Sequence, residues 1–459
     1  MRALVLIHRW LGIAFCLLFA MWFASGMVMH FVPFPSLSEA ERVAGLPVLA
    51  LPSKRVDIMQ VFDFKEKNLL ARMHLSAPAG VPVYIGRRLD GTITAFDGAS
   101  GAMLVVDTTH ALASARAHAQ ARGLDAAHAA HTALASHDQW SVPNGFDAHR
   151  PLHRIALNDA AHTEIYVSSV TGEVVLDTTR FERAWNWAGS VVHWLYPTVL
   201  RQHWATWDRT VWWLSLMAMM GALAGAALGV IRLNGLRSPY RGWMFWHHTL
   251  GLTCALFVLT WIFSGWLSMD HGRIFSNGQP TDDERARIIG VAPSDVGDIK
   301  APFKEIEWFG FAGQTMTRVI DASGKRRLHA GTQSGPWLSS AQLDSAARAL
   351  GATCMHAVVA AEDAYPARSI AGGVPVYRIT CGDTWFHIDG ADGRIIEKLD
   401  ASRRAYRWAY QALHTLDFPL LAQRETLRTL LILALCSAGL AFSLTGAVIG
   451  WRRLKRTVL

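Results

Sequence analysis

The stretch His8-Arg9-Trp10-Leu11-Gly12, at the head of a long apolar run, returns as His247-His248-Thr249-Leu250-Gly251, and this recurrence constrains the chain more than any other feature. A shift of 239 residues lays His8 on His247, Leu11 on Leu250, Gly12 on Gly251, Trp22 on Trp261 and Ser25-Gly26 on Ser264-Gly265. A second register, of 221 residues, aligns Tyr166–Leu233 without a gap on His387–Leu454. It matches Gly172 with Gly393, Trp187-Ala188 with Trp408-Ala409, His193 with His414, Gly225 with Gly446 and Arg232-Leu233 with Arg453-Leu454. An internal repeat of this length is a duplicated architecture. The chain is therefore expected to be two related halves, each reading helix, long polar segment, helix, with two histidines at equivalent places.

Crossing roughly 30 Å of hydrocarbon takes about 20 apolar residues in a helix. Four runs qualify, near 4–32, 210–231, 245–269 and 427–450, in a chain that is 51% hydrophobic and 17% charged overall. The first run is long for a cleaved leader and holds His8 and Arg9, so it reads as a retained anchor. Arg2, Arg9, Arg232, Arg237, Arg241, Arg452, Arg453, Lys455 and Arg456 flank the runs on one side, with no acidic residue in those short segments. By the positive-inside rule that side is the cytoplasm and both termini are inside. The formal charge of +8 owes much to these flanks, so it speaks for membrane orientation and gives no support to nucleic-acid binding.

The expected layout is a first span over 1–32, an exported segment over 33–183, an interfacial helix and second span over 184–232, and a cytoplasmic loop over 233–244. A third span over 245–270, a second exported segment over 271–403, an interfacial helix and fourth span over 404–451 and a cytoplasmic tail over 452–459 complete it. In the first exported segment, 83–86 and 92–96 read as strands around the turn at Asp90-Gly91, Ala-rich 110–136 reads as helix, and 164–175 reads as a strand, a Gly turn and a second strand. The second repeats the plan with a helix near 339–350, a strand at 374–380 and a hairpin from Thr384 through Gly393 to Ile396. No motif is legible over 36–80 or 275–335. Cys16, Cys254 and Cys436 fall in spans and read as small buried hydrophobes. Cys354 and Cys381 share the second exported segment, where an oxidising compartment would permit a disulfide.

A helix followed by strands and a hairpin of this form, together with the His-x-Trp-Leu-Gly-type spans, resembles the PepSY-associated transmembrane family. Characterised members of that family include inner-membrane ferrisiderophore reductases that hold two haems. The resemblance covers most of the chain and is strongest in the spans and over 160–200 and 384–420. It implies an α-helical membrane protein of four transmembrane helices, with a pseudo-twofold repeat and two exported α+β PepSY-like domains, in a bacterial inner membrane.

Ionisable side chains inside spans are costly and usually face a bundle interior or a functional group. His8 and His247 stand near the cytoplasmic ends of their spans. His193 and His414 sit in amphipathic segments, Trp185–Leu200 and Tyr406–Leu421, each six residues after an interfacial tryptophan. One pair thus belongs to the inner leaflet and one to the outer, as two bis-histidine haems require. No Cys-x-x-Cys-His occurs, so any haem is b-type and noncovalent. A single membrane histidine is more often a hydrogen-bonded core residue; four in two symmetric pairs reverse that weighting. His248 adjoins His247 and only the register prefers His247. His30, His271 and His203 are reserve ligands on the outer side, although Met269, not His271, falls opposite His30. Arg9 and Arg241 are candidates for haem propionates, and positive-inside anchoring explains them equally well. Gly221, Gly225 and Gly229 read as a small-residue packing ridge. His128 and His131 read as a solvated helix face in preference to a metal site.

The expected activity is that of a di-haem b electron conduit which reduces an exported ferric siderophore, or another Fe(III) chelate, for iron release. The siderophore is implied by the resemblance alone. With no Gly-x-Gly-x-x-Gly after a strand and short cytoplasmic segments, the electron donor is expected to be quinol or a separate cytoplasmic reductase. The rival reading, from another class, is a haem-free membrane protein that binds exported peptidases or a transport partner. A transporter is disfavoured, since no span is interrupted and no buried carboxylate pair is evident.

Overall fold

The computed structural model describes residues 1–49, 62, 70–291, 302–360, 362–367 and 373–458. Four helices are long and apolar enough to cross a membrane: Arg2–Phe31, Trp204–Ile231, Trp243–Leu267 and a fourth over Glu425–Val458. They are called the first to fourth long helices below. The first packs on the second and fourth, and the third packs on the same two, so the bundle is a ring whose halves repeat.

Between the first and second long helices run β1 (Leu70–Ser76), β2 (Val83–Arg88) and β3 (Ile93–Asp97), then β4 (Ala130–Ala135), β5 (Leu152–Ala156), β6 (Glu164–Ser168) and β7 (Val174–Thr178). Between the third and fourth run β8 (Phe303–Phe311), β9 (Gln314–Asp321), β10 (Arg326–Ala330) and β11 (Gln333–Gly335), then β12 (Met355–Val358), β13 (Val376–Cys381), β14 (Thr384–Asp389) and β15 (Ile395–Leu399). Each set is preceded by a short helix opened by a capping box, Ser38 with Glu41 and Thr281 with Glu284, in which two orphan donors of the first turn are satisfied reciprocally. Each also has a longer helix in its middle, Thr108–Ala121 and Ser340–Leu350.

β4-β5-β6-β7 and β12-β13-β14-β15 form two antiparallel four-stranded sheets, one per half. The remaining strands make one seven-stranded sheet in the order β11-β10-β9-β8-β1-β2-β3. Its central pair joins the halves: β1 runs antiparallel to β8, with His74 opposite Glu307 and Leu75 opposite Ile306. Two self-contained exported domains, over 33–183 and 271–403, are therefore too simple a division. Each half contributes a private sheet and a meander, and the meanders meet across a common seam. The face of the seam that carries Met73, Leu75, Ile306 and Trp308 is core, each at 1% exposure.

Two local expectations change. The Ala-rich stretch is helical only to Ala121, and Ala130–Ala135 is the edge strand β4. His131 therefore lies on a strand, where its Nε2 meets the His153 Nδ1 at 3.1 Å, and the solvated helix face expected of His128 and His131 does not form. Cys354 and Cys381 are joined as a disulfide.

Candidate functional site

The bundle brings the four register-matched histidines together in two facing pairs. The rings of His8 and His247, on the first and third long helices, have centroids 6.2 Å apart. Those of His193 and His414 are 6.3 Å apart. These last two sit on matching irregular segments. Each follows a short helix, Arg180–Asn186 or Ala401–Tyr406, that loosens into a π-turn over Trp187–Val191 or Arg407–Ala412. Such turns concentrate at functional sites. Two residues after each histidine a leucine, Leu195 or Leu416, adopts φ of 51°. Left-handed backbone at a non-glycine residue costs on the order of 1–3 kcal/mol and persists only where surrounding structure imposes it. The strain is identical in both halves, so it belongs to the placement of the ring.

All four rings are anchored through the same nitrogen. His193 Nδ1 lies 3.0 Å from Ser25 Oγ and His414 Nδ1 lies 3.1 Å from Ser264 Oγ. Each serine hydroxyl donates to a carbonyl of its own helix, Met21 and Trp261 respectively. The oxygen is therefore an acceptor toward the ring, and Nδ1 carries the proton. His247 Nδ1 meets Thr445 Oγ1 at 3.0 Å, and that hydroxyl donates to the Phe442 carbonyl. His8 Nδ1 meets the Gly221 carbonyl at 3.1 Å, which leaves it no role but donor. With Nδ1–H fixed in every ring, Nε2 holds the lone pair, and none of the four Nε2 atoms has a hydrogen-bond partner among the described residues. This is the arrangement in which a metal-ligating imidazole has its tautomer and orientation set by the other nitrogen.

A glycine lies against the Cε1–Nδ1 edge of each ring. A Cβ at Gly225 would stand 2.5 Å from His8 Cε1, and one at Gly446 3.3 Å from His247 Cε1. At Gly26 and Gly265 the distances to Cε1 of His193 and His414 are 3.6 Å and 3.4 Å. The glycine ridge thus does more than pack helices: Gly221 supplies an acceptor and Gly225 the room for a ring. Around His8 and His247 opens a cavity of about 480 Å³, lined by Gly12, Gly251 and mostly apolar side chains, with Arg9, Arg232 and Arg453 also in the lining. Arg241, the other propionate candidate, is exposed and is not part of this lining. Arg232 and Arg453 are repeat mates whose sequence signal alone speaks only for membrane anchoring.

The reserve histidines are used otherwise. His248 spends both nitrogens, Nδ1 on Ser238 Oγ at 2.9 Å and Nε2 on the Gly229 carbonyl at 2.8 Å. His30 Nε2 meets Thr429 Oγ1 at 2.8 Å, and His271 Nδ1 meets the buried Asp208 carboxylate at 2.8 Å. His203 opens the second long helix, its carbonyl accepting from the Trp207 amide. None of them joins either pair.

The geometry and donor set fit haem. Two nitrogens, each about 2.0 Å from a shared metal and about 1.2 Å from its ring centre, set facing centroids roughly 6 Å apart. The two observed separations are compatible with that spacing, the ligand type is the neutral imidazole that b-type haem takes, and the cavity beside His8 and His247 has the volume of a small-molecule site. No protein-family model matches the chain, and no curated protein is significantly similar to it in sequence.

Proposed function

We propose that the chain is a di-haem b membrane oxidoreductase that passes electrons from the cytoplasmic side or the quinol pool to an exported ferric siderophore, releasing iron as Fe(II). The reading is carried by one observation: two symmetric imidazole pairs, 6.2 Å and 6.3 Å between centroids, with every Nδ1 proton committed to a protein acceptor. A haem held by each pair would supply a one-electron Fe(III)/Fe(II) couple.

The chain's own residues divide the remaining work. Ser25, Ser264, Thr445 and the Gly221 carbonyl hold the rings in the ligating tautomer. Gly26, Gly225, Gly265 and Gly446 clear the space beside them. Arg9, Arg232 and Arg453 line the same cavity and would offer guanidinium groups to the carboxylates of a macrocycle. Orientation follows from the basic flanks near the His8/His247 end of the bundle, and an exported β-rich body accords with the Cys354–Cys381 disulfide. The siderophore comes from the likeness to the PepSY-associated transmembrane family. One-electron reduction would loosen the grip of hard oxygen ligands on iron.

The visible spectrum of detergent-purified protein tests this. A Soret band that sharpens into alpha and beta bands on dithionite reduction, with two haems per chain by pyridine haemochrome, is the expected result. A colourless preparation that takes up no added haemin would end the redox reading and leave a scaffold for exported peptidases or a transport partner.

A further inference from the structure

The seam sheet has an ionic face. Arg72 and His74 of β1, Glu305 and Glu307 of β8 and Arg318 of β9 lie side by side across three strands. They form the floor of a cavity of about 720 Å³. Part of the wall comes from the private sheets and the rest from β2 and the helices beside it. The hairpin β6–β7 presents Glu173 and the hairpin β14–β15 presents Arg394, which are repeat mates at the offset of 221. Both halves therefore aim the same hairpin at one chamber.

The carboxylates in this chamber are already engaged. Glu305 accepts from both terminal nitrogens of Arg42 at 2.6 Å and 3.1 Å, Glu307 meets Arg318 at 3.0 Å and Arg72 at 3.1 Å, and Asp392 meets Arg394 at 2.7 Å. Glu173 meets His74 at 2.9 Å. His74, Glu173 and Glu305 come close enough to suggest a cation site, but Arg42 already holds the Glu305 oxygens that a metal would need. What remains uncommitted is positive. Of the arginines that line the chamber, Arg285 pairs with Asp282 outside it, and Arg87 makes no ion pair among the described residues. Burial pushes the Arg87 guanidinium below its usual range; the Glu173 carboxylate works against this, and the neighbouring cations Arg394 and Arg72 add to it.

We infer that this chamber binds a multiply charged oxyanion of small-molecule size, a polycarboxylate either free or wrapped around a trivalent metal, with Arg87 and Arg394 as its principal contacts. The volume falls in the range of built ligand sites, and guanidinium forks match carboxylate geometry. The inference does not rest on haem, since it concerns binding alone.

Isothermal titration of the full-length protein in detergent tests it, with citrate, with redox-inert gallium citrate and with a cationic gallium trihydroxamate as control. Saturable binding of at least one of the two anions, and none of the cationic chelate, is expected. Arg87→Gln should weaken it roughly 10- to 100-fold, the weight of one charge-assisted contact, while the thermal unfolding midpoint stays put. Arg87→Lys should recover part of the loss, and Arg394→Gln should weaken binding independently. A stronger gallium citrate than citrate signal would mark the metal complex as the ligand; the reverse would mark the free acid. Binding of neither anion, binding indifferent to Arg87→Gln, or equal binding of the cationic chelate would overturn the assignment.

Discussion

At the scale of single residues, the two ring pairs make different demands on the glycines beside them. A methyl at Gly225 would fall 2.5 Å from His8 Cε1, a contact no side chain tolerates, whereas Gly446 offers 3.3 Å to His247. Gly225→Ala is therefore expected to strip haem from the inner pair, and Gly446→Ala to leave most of it, as read by haem per chain and the reduced alpha band. His8→Ala or His247→Ala should reduce the stoichiometry from two to one, and His193→Ala or His414→Ala should do so for the other site. A loss of the outer haem on His30→Ala or His271→Ala instead would show that the register had chosen the wrong imidazoles. Ser25→Ala and Ser264→Ala remove the acceptor for Nδ1–H and should weaken retention at the outer pair roughly 10- to 100-fold, measured by haem transfer to an apo-acceptor. The histidines themselves were legible because the offsets of 239 and 221 isolate them from the chain's other histidines. Their acceptors were half visible: Ser25-Gly26 and Ser264-Gly265 are part of the same repeat, but nothing in a sequence says that a serine hydroxyl already donating to its own helix becomes an acceptor. The inner pair hides its anchors further, since one is a backbone carbonyl and the other, Thr445, has Ala224 as its repeat mate.

At the scale of elements, the four long apolar helices and the two Gly-turn hairpins could be read because length and apolar alternation survive in them. The seam strands could not. In β1 and β8 the positions facing one side, Arg72, His74, Glu305 and Glu307, are charged yet roofed over by hairpins from both halves, so a buried face carries the signature of a solvated one. The strand β4 was lost for the opposite reason. Its alanines favour helix, and it is an edge strand with little buried surface to announce itself. The roof over β1 also sets a pH response. Burial by itself would raise the carboxyls of Glu173 and Glu305, but His74 and Arg42 more than offset it and hold both at about 2, against an ordinary 4.5. Burial would lower the His74 imidazole, and Glu173 overrides it, so His74 is raised above 6.5. Depressed acids contribute stability that is present above pH 4.5 and lost as pH falls toward 2. The raised histidine contributes stability that is full below pH 6.5 and fades as pH climbs through its folded value. His74→Gln is thus expected to flatten the pH profile of the thermal midpoint above pH 6.5 and, because His74 holds the Glu173 carboxyl down, to weaken the acid limb as well. An alkaline limb unchanged by His74→Gln would refute the role of the His74–Glu173 pair.

At the scale of the whole molecule, each half repeats the same order of parts: long helix, capped short helix, meander, helix, private sheet, π-turn, long helix. The meanders make this duplication continuous through segments whose sequences show no trace of it. Because β1 and β8 pair through backbone hydrogen bonds, the two halves should hold together without a covalent link. Breaking the chain within the loop between Leu233 and Gly242, and expressing both pieces, is expected to give fragments that copurify through a tag on one of them. The first piece made alone should be cleared by proteolysis, since its β1 would be left as an apolar edge. Recovery of either piece alone as a stable monomer would contradict this.

That central antiparallel couple has an evolutionary corollary. In a half-length ancestor the strand corresponding to β1 would have ended the sheet, and the partner best shaped to complete it was a twin of the same molecule across a dyad. Fusion of two such genes would then have freed Glu173 and Arg394, once obliged to be identical, to take opposite signs.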